Sequence, residues 1–397
     1  MIKRRIGLLA PIASVVTVVA CTTATEDVTP SPLPTEAEID RFVEATMESQ
    51  DLPGLALAVI DEGEVTYLKT FGERSLDPAL PLTSDTVMYG ASLTKFVFAT
   101  YLMKLVEAGR LDLDTPIADY FDEPLTEDEE WADLANDPRA QDLTLRHVLN
   151  HSTGWPNYRF FPPESDYAYD PTSKLKFYYD PGERYGYSGE AFILAQRVLE
   201  GPLGLNVTEA MKDDMFAPLG MTRTSMIWQP EFETNYTTGY DVEGQARGHD
   251  FQDNPRSAGS MDTTIADYTA FVKAYLAGEI ITPASRAEML RPQLAITSDH
   301  KFPPLEKGSD PERNRAVDLS VGLGVVVWDG PNGPGFMKAG HNEQTDNMML
   351  CLTDHDRCVV AMMNTARGDL VYPELVEFIL GDTGFVWKWE YSAIDTD

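Results

Sequence analysis

The order of strand-like and helix-like patterns along the chain constrains its fold most strongly. β-type runs occur near both ends of the sequence, at residues 55–60, 65–71, 321–327, 348–352 and 359–363. The long middle is rich in loops and in short helical patterns. Strands separated in this way predict one mixed sheet built from both ends of the chain, an α/β fold of the α+β type. We expect one lobe from about 39–90 and 262–397, and a second lobe inserted at about 91–261.

The first residues have the pattern of an export signal. Basic residues at positions 3–5 precede an apolar stretch at 6–20, which is too short for a confident membrane span. With Cys21 at the break, the segment resembles a bacterial lipoprotein signal, in which the cysteine is lipidated; the alternative is an ordinary cleaved signal with an incidental cysteine. We therefore predict a signal peptide at 1–20, a Pro/Thr-rich tether at 21–38, and a lipid-anchored protein on the periplasmic side of a bacterial cell envelope.

The net charge of the chain limits the classes of partner that it can bind. Lys and Arg total 31 against 64 Asp and Glu, a formal net charge of −33. A polyanion of this strength is repelled by phosphate backbones, so nucleic-acid binding is excluded. The three basic residues of the signal are its only charged ones, so a chain cleaved after residue 20 is more acidic still. Contact with a membrane is therefore expected through the N-terminal lipid only.

A serine three residues before a lysine is the clearest candidate for chemistry. The pattern occurs three times, at Ser92 and Lys95, Ser173 and Lys176, and Ser298 and Lys301. Ser92 alone opens a long amphipathic helix after a glycine turn, whereas prolines at 303 and 304 block a helix after Lys301. Residues three apart are neighbours on a helix, so Lys95 is placed to take a proton from Ser92. The alternative from this motif alone is an N-cap serine followed by a surface lysine.

Four ordered segments carry a family resemblance. They are Thr86-Val-Met-Tyr-Gly-Ala-Ser-Leu-Thr-Lys95, Leu143-Thr-Leu-Arg-His-Val-Leu-Asn-His-Ser-Thr-Gly154, Pro181-Gly182 with Tyr187-Ser188-Gly189, and Ser257-Ala-Gly-Ser-Met261. Together they resemble the serine β-lactamase family, class C branch, which also contains β-lactamase-fold esterases and D-amino-acid peptidases. The resemblance covers most of residues 40–380. It implies a β-lactamase/transpeptidase-like fold, with an antiparallel sheet flanked by helices and an inserted, mainly helical, loop-rich lobe.

The resemblance also implies roles for individual residues. Ser92 is the nucleophile that becomes acylated, Lys95 its general base, and Tyr187 the group that passes a proton to the leaving group. The third family motif fits Lys338 and Gly340; a register starting at His341 is the competing alternative and needs a deletion. The backbone N–H groups of Ser92 and His341 would then bind the oxyanion. No cofactor and no metal is implied.

Two departures from the family pattern bear on the substrate. Gly189 stands where β-lactamases and peptidases of this group have an asparagine that binds the substrate amide, and Ala339 replaces a hydroxyl that helps to hold a carboxylate. Losing both groups favours esters over β-lactam or peptide-like amides among small-molecule acyl substrates. The aromatic-rich stretch 155–187 is a candidate acyl pocket or simply packing beneath a loop. A catalytically silent penicillin-binding-like protein, which binds cell-wall peptide or a partner, is the alternative function.

Two further cysteines flank a short turn. If residues 354 and 355 form a two-residue hairpin turn, Cys351 and Cys358 lie directly opposite each other on adjacent strands. In an oxidising envelope this position makes a disulfide possible.

Overall fold

A computed structural model describes residues 32–392 of the chain. The predicted signal peptide at 1–20 and the predicted lipidation site Cys21 lie outside the described residues. Within the described range, none of the helices has the length and apolar character needed to cross a bilayer.

The strands meet in a large antiparallel sheet. Their bounds are β1 Gly54–Asp61, β2 Glu64–Leu76, β3 Ala79–Pro81, β4 Met88–Tyr89, β5 Gly239–Tyr240, β6 Ala246–Gly248, β7 Asp262–Thr263, β8 Leu294–Ala295, β9 Ser320–Val321, β10 Val326–Gly330, β11 Gly333–His341, β12 Asp346–Leu352 and β13 Arg357–Met363. Nine of them form one sheet in the order β3-β2-β1-β13-β12-β11-β10-β9-β8. β1 pairs with β13, so both ends of the chain build the sheet, as expected. Every neighbouring pair is antiparallel, so the sheet is not mixed.

Helices cover the sheet and fill the middle of the chain. Their bounds are α1 Glu36–Gln50, α2 Leu93–Glu107, α3 Leu145–Leu149, α4 Gly189–Glu200, α5 Val207–Met211, α6 Ile265–Leu276, α7 Pro283–Leu290, α8 Glu312–Arg315, α9 Tyr372–Leu380 and α10 Trp387–Glu390. Short 3₁₀ turns lie at Ile117–Tyr120, Leu125–Glu127, Glu129–Leu134, Pro138–Asp142, Pro163–Ser165, Pro230–Phe232 and Gly368–Leu370, and a π turn at Lys212–Phe216.

The first helix begins earlier than the sequence pattern indicates. α1 starts at Glu36, inside the predicted tether 21–38. The Glu38 carboxylate accepts hydrogen bonds from the Thr35 backbone N–H at 2.8 Å and from its hydroxyl at 2.6 Å. This capping interaction provides hydrogen bonds at the N-terminus of the helix, so α1 begins before its first apolar residue, Ile39.

The predicted strand at 321–327 is interrupted. β9 ends at Val321 and β10 begins at Val326. Between them Gly324 has φ of +81°, and a Cβ there would lie 2.6 Å from the Ala99 side chain of α2. The chain therefore leaves the sheet at this point to pack closely against α2.

Alternation along the central strands creates two hydrophobic cores. Leu55, Leu57 and Val59 of β1 face a core that α1, α9 and α10 complete. Their neighbours Ala56 and Ala58 face the opposite core, which contains α2, α6 and the helices of the inserted segment. The sheet is therefore covered by helices on both faces, and the antiparallel α+β architecture expected from the family resemblance is confirmed.

The two ends of the segment predicted to be an inserted lobe, 91–261, lie side by side. β4 pairs with β7, with Tyr89 opposite Asp262, next to the boundaries predicted for the insertion. α2 follows β4 after a short turn and packs against β11 of the large sheet. Ser92, at the start of α2, therefore lies where the insertion meets the sheet.

Candidate active site

A tight turn presents Ser92 at the start of α2. Ala91 has φ of +46°, in the left-handed region that a residue with a side chain rarely adopts. The turn is held on one side by the Gly90 N–H, which donates to the Met261 carbonyl at 2.8 Å. On the other side the Thr94 hydroxyl donates to the Ala91 carbonyl and accepts from the Met261 N–H. Surrounding contacts therefore fix a strained turn, as is common at catalytic nucleophiles.

Lys95 is a buried neighbour of Ser92 and not a surface lysine. Its Nζ lies 3.1 Å from the Ser92 Oγ and donates to the carbonyl of Ala258, and the residue is 1% exposed. Burial lowers the pKa of Lys95 well below its ordinary value, and the positive charge of Lys301 lowers it further. A neutral amine at this distance can accept the Ser92 proton.

Tyr187 lies beside the same pair of residues. Its ring centre is 4.9 Å from the Lys95 Nζ, and its buried hydroxyl has no hydrogen-bond partner of standard geometry among the described residues. Burial raises the pKa of Tyr187 above its ordinary value, and the nearby Ser92 hydroxyl opposes this only in part. The phenol is therefore protonated and free to donate to a bound molecule.

A buried histidine holds the Tyr187 segment in place. The Ser188 N–H donates to the His151 Nδ1 at 3.1 Å, and the His151 and Tyr187 rings are 4.4 Å apart. Burial, together with the nearby lysines, lowers the pKa of His151 well below its ordinary value, which suits a neutral acceptor. The sequence identified His151 only as part of a family segment and gave it no role.

Glycine at position 340 lets β11 run against the start of α2. A Cβ at Gly340 would lie 2.5 Å from the Gly90 carbonyl oxygen, 2.6 Å from the Leu93 nitrogen and 2.9 Å from the Ser92 nitrogen. Only a residue without a side chain fits so close to fixed backbone atoms. The next residue, His341, ends β11 and lines the same cavity as Ser92.

Lys338 and Ala339 do not line that cavity. The buried Lys338 ammonium contacts the Ala339 carbonyl and lies 5.6 Å from the centre of the Tyr187 ring. Ala339 belongs to the core that α1, α9 and α10 complete, on the opposite face of the sheet. Side chains alternate along β11, so Ala339 lies on the face of the sheet opposite to Gly340. It lines a neighbouring cavity together with Tyr187 and Lys301, and its contact with substrate stays a prediction.

The cavity at Ser92 has a volume of about 240 Å³. Polar side chains and backbone from both lobes line it: Tyr89, Ala91, Ser92, Lys95, Asn157, Tyr158, Tyr187, Asp250, Ala258, Gly259, Lys301, Phe302, His341 and Asn342. Several of these, including Asn157, Tyr158 and Asp250, carry no motif in the sequence.

Tyr158 fills the space beside Gly189. A Cβ at Gly189 would lie 2.8 Å from the Tyr158 ring and 2.9 Å from its hydroxyl. The Gly189 N–H donates to the Asn157 side-chain oxygen at 2.9 Å, and the Glu190 N–H donates to the Asn157 carbonyl at 2.8 Å. The loop at Asn157 is thus hydrogen-bonded to the start of α4. It places the Tyr158 side chain in the space that an asparagine side chain at position 189 would occupy.

The other aromatic residues of stretch 155–187 do not line the Ser92 cavity. Trp155 and Phe177 belong to the hydrophobic core, and Phe160 and Phe161 are exposed. These four side chains therefore pack beneath the loop or lie on its surface.

A third lysine, Lys301, reaches the cavity from the serine–lysine pattern that prolines 303 and 304 made the less favoured candidate. The Lys301 Nζ lies 2.5 Å from a Glu390 carboxylate oxygen, and the two side chains are 5% and 1% exposed. The Lys301 N–H donates to the Trp389 carbonyl at 2.8 Å, which joins this irregular segment to α10. No helix follows Ser298, as expected, but long-range backbone pairing still brings Lys301 to the site.

The remaining predicted features lie away from the cavity. Cys351 and Cys358 are opposite each other in the β12–β13 hairpin and form a buried disulfide. Within residues 32–392 there is no group of three or more His, Cys, Asp or Glu side chains arranged to hold a metal ion.

Comparisons with known proteins agree with this architecture. A family model described as beta-lactamase matches residues 39–379. The chain is 23% identical to penicillin-binding protein 4* of Bacillus subtilis (strain 168), over 82% of this chain and 71% of that protein. It is 30% identical to the lovastatin esterase of Penicillium rubens, over 46% of this chain and 51% of the esterase, so it spans about half the length of that relative. The D-amino acid amidase of Ochrobactrum anthropi SV3 shares the fold, with a TM-score of 0.65, 21% identity, and coverage of 86% of this chain and 98% of the amidase.

Proposed function

The chain belongs to the beta-lactamase family, whose fold is that of serine hydrolases, and from this premise we propose that it hydrolyses small esters through an acyl-enzyme at Ser92. The observation that carries the proposal is the pairing of Ser92 with a buried lysine, whose Nζ lies 3.1 Å from the serine oxygen. The protonated Tyr187 hydroxyl beside them supplies the acid that the reaction also needs.

The acylation step uses these three side chains in order. The Lys95 amine takes the Ser92 hydroxyl proton as the serine oxygen forms a bond to the ester carbonyl carbon. When the tetrahedral intermediate collapses, the bond to the alkoxide breaks and the leaving oxygen takes the Tyr187 proton. The Lys95 ammonium then returns a proton to Tyr187, and water later releases the acyl group from Ser92.

The tetrahedral intermediate carries a negative charge on oxygen, and the site has hydrogen-bond donors that can bind this oxyanion. The start of α2 and the end of β11 meet where Gly340 approaches the Ser92 nitrogen. We propose that the backbone N–H groups of Ser92 and His341 bind the oxyanion there. Donors fixed by a helix start and a strand need no rearrangement when the charge develops, which is what transition-state stabilisation requires.

Two features favour esters over β-lactams and peptides. Gly189 offers no side-chain amide, and the Tyr158 phenol occupies the adjacent space. The cavity of about 240 Å³ is smaller than typical drug-sized sites, which suits a short acyl chain. The relatives include proteins named an esterase, an amidase and a penicillin-binding protein, so the family supports each class of acyl substrate.

Active-site labelling tests the acyl-enzyme. We expect a fluorophosphonate probe to modify the protein stoichiometrically, with peptide mass mapping placing the adduct on Ser92. The Ser92→Ala variant should fold and remain unlabelled. Absence of an adduct at Ser92 in the wild-type protein would favour the alternative, a silent penicillin-binding-like protein that binds cell-wall peptide or a partner.

A substrate comparison tests the preference for esters. We expect short-chain p-nitrophenyl esters to be hydrolysed much faster than nitrocefin, with both activities absent from Ser92→Ala. The opposite ranking would show that the inference from Gly189 is wrong.

We also propose that the protein is exported and anchored by a lipid on Cys21 at the bacterial cell envelope. The support is the sequence of residues 3–21 together with an acidic chain that anionic lipids repel. Expression of the full chain with Cys21→Ser should move the protein from the membrane fraction to the soluble fraction. Retention of that variant in membranes would contradict the anchor.

A further inference from the structure

We propose that Lys301 and Glu390 form a fixed charge pair that keeps Lys95 in its neutral, proton-accepting form, so that Lys301 is a positioning residue of the active site. The inference rests on the proposed function, in which Lys95 is the general base for Ser92. Glu390 belongs to no motif found in the sequence, and Lys301 occurs there only in a serine–lysine pattern that is not followed by a helix.

The geometry places the pair beside the base. Lys301 lines the Ser92 cavity together with Lys95. The Nζ atoms of Lys95 and Lys301 each lie 4.9 Å from the centre of the Tyr187 ring, so the two nitrogens are within about 10 Å of each other. Both side chains are buried, and at this range in a buried site one positive charge acts strongly on the next.

Glu390 explains how Lys301 can stay charged in a buried site. A buried ammonium is costly unless a carboxylate pairs with it closely. Glu390 provides that carboxylate at 2.5 Å. Burial alone would raise the pKa of Glu390, but the charge of Lys301 and the hydrogen bonds from His341 and Lys301 outweigh it and lower the pKa to about 2. The carboxylate is therefore ionised at any pH where the enzyme would work.

The other titratable groups that face Lys95 do not replace this charge. Burial lowers the pKa values of His151 and Lys338 well below their ordinary values, and burial raises that of Tyr187. In all three side chains the shift of the pKa therefore favours the neutral form. His341, which contacts Glu390 at 3.6 Å, also has a lowered pKa because of burial. Asp250 also lines the cavity, but among the described residues Lys301 is the charged group whose field lowers the pKa of Lys95.

The segment that carries Glu390 is also tied to Lys301 through the backbone. The Lys301 N–H donates to the Trp389 carbonyl at 2.8 Å, and the His300 ring lies 3.1 Å from the Lys388 carbonyl oxygen. α10 thus fixes the position of the lysine as well as its charge. A rigid partner is what a constant effect on Lys95 requires.

The test removes both charges at once. Lys301→Met alone would leave Glu390 buried without a partner, which threatens folding. In the double variant K301M/E390Q no unpaired charge remains, and both replacements are close in size to the originals. Loss of the positive charge makes protonation of Lys95 easier, so we expect the acid limb of the pH profile of kcat/KM to move up by about one pH unit. On that limb, the rate with p-nitrophenyl acetate should fall about tenfold.

The conservative variant Lys301→Arg is the matched control. It keeps the positive charge, so the acid limb should stay at its wild-type pH whatever the change in rate. An acid limb that moves equally in Lys301→Arg and in the double variant would overturn the proposal. So would an unchanged limb with a raised KM in the double variant, which would show that Lys301 contacts substrate instead.

A direct titration separates this proposal from the proposed function. In protein labelled with ¹⁵N-lysine, the Nζ signal of Lys95, assigned with Lys95→Arg, reports its protonation without any turnover. We expect its titration midpoint to rise by about one pH unit in K301M/E390Q. An unchanged midpoint in the folded variant would overturn the pair's role. Failure of the fluorophosphonate to label Ser92 would count against the hydrolase and not against the pair.

Discussion

The Tyr158 ring occupies the space that a side chain at position 189 would need, because a Cβ at Gly189 would lie 2.8 Å from the ring. Tyr158 is held by a loop whose Asn157 accepts the Gly189 N–H. The residue type at 189 and the position of Tyr158 in the Ser92 cavity are therefore coupled.

The coupling can be measured with a double-mutant cycle. Gly189→Asn should displace Tyr158 and lower kcat/KM for p-nitrophenyl acetate by about tenfold or more, since small misplacements in a site are costly. Adding Tyr158→Ala makes room for the asparagine, so G189N/Y158A should be more active than the product of the two single effects. Strictly multiplicative effects would show that the two positions do not compete for space.

Gly340 should be irreplaceable for a steric reason. Alanine there brings a Cβ within 2.5 Å of the Gly90 carbonyl oxygen, so β11 must move away from α2. We expect Gly340→Ala to lower stability by about 1–3 kcal/mol and kcat/KM by about 100-fold. Urea unfolding and ester hydrolysis measure the two effects.

Gly54→Ala is the matched control for this change. A Cβ at Gly54 would lie 2.6 Å from the Glu73 carbonyl oxygen, also inside the sheet but away from the residues that line the cavity. It should lower stability similarly while kcat of the folded protein is unchanged. Equal losses of kcat in both variants would mean that general destabilisation explains the effect at Gly340.

The local parts of the fold and site could be predicted from the sequence, and the long-range parts could not. Ser92 and Lys95 are three residues apart on one helix, so their contact follows from helix geometry. Tyr187 was identified as a site residue only through the resemblance of its segment to the family pattern. Lys301 and Glu390 meet because the irregular segment at Lys301 pairs through its backbone with α10, and no periodic pattern marks such a contact.

The face of the sheet on which Ala339 lies could not be predicted for a related reason. The motif identifies a strand, but the face to which each of its residues points depends on how β11 pairs with β12. In the structure Gly340 points toward α2, and Ala339 therefore faces the opposite core. The role of Tyr158 could not be predicted because its contact with Gly189 joins a loop to the start of a helix that is distant in sequence.

Glu390 should make stability depend on pH in a defined range. Its pKa falls from 4.5 in the unfolded chain to about 2 in the folded protein. A lowered folded pKa stabilises the protein above pH 4.5, and this stabilisation is lost as the pH falls toward 2. The contribution is on the order of 3 kcal/mol.

Urea unfolding of wild type and K301M/E390Q at several pH values isolates this contribution, because all other carboxylates are shared. We expect the stability of the wild type relative to the variant to decline between about pH 4.5 and pH 2. A constant difference across that range would contradict the lowered pKa of Glu390.

The buried disulfide should support stability without touching catalysis. Cys351 and Cys358 are separated by 7 positions, and neither lines the cavity. Closing so short a loop is expected to contribute about 2–3 kcal/mol. The variant C351A/C358A should therefore unfold at lower urea concentration, with kcat for esters unchanged.

Mass mapping of the native protein checks the bond itself. Both cysteines are 0% exposed, so alkylation without unfolding should leave them unmodified, and after unfolding they should react only once a reductant is added. Free thiols at both positions in unfolded, unreduced protein would contradict the disulfide.

The pairing of β1 with β13 determines when this protein can first become active. Ile60 lies opposite Cys358, about 300 positions further along the chain. A ribosome makes β1 early, but the strand has no partner on that side until nearly the whole polypeptide has emerged, and contacts of such high order form slowly. Glu390 arrives later still. A partly synthesised chain therefore carries Ser92 without the rest of the candidate site until synthesis is almost complete.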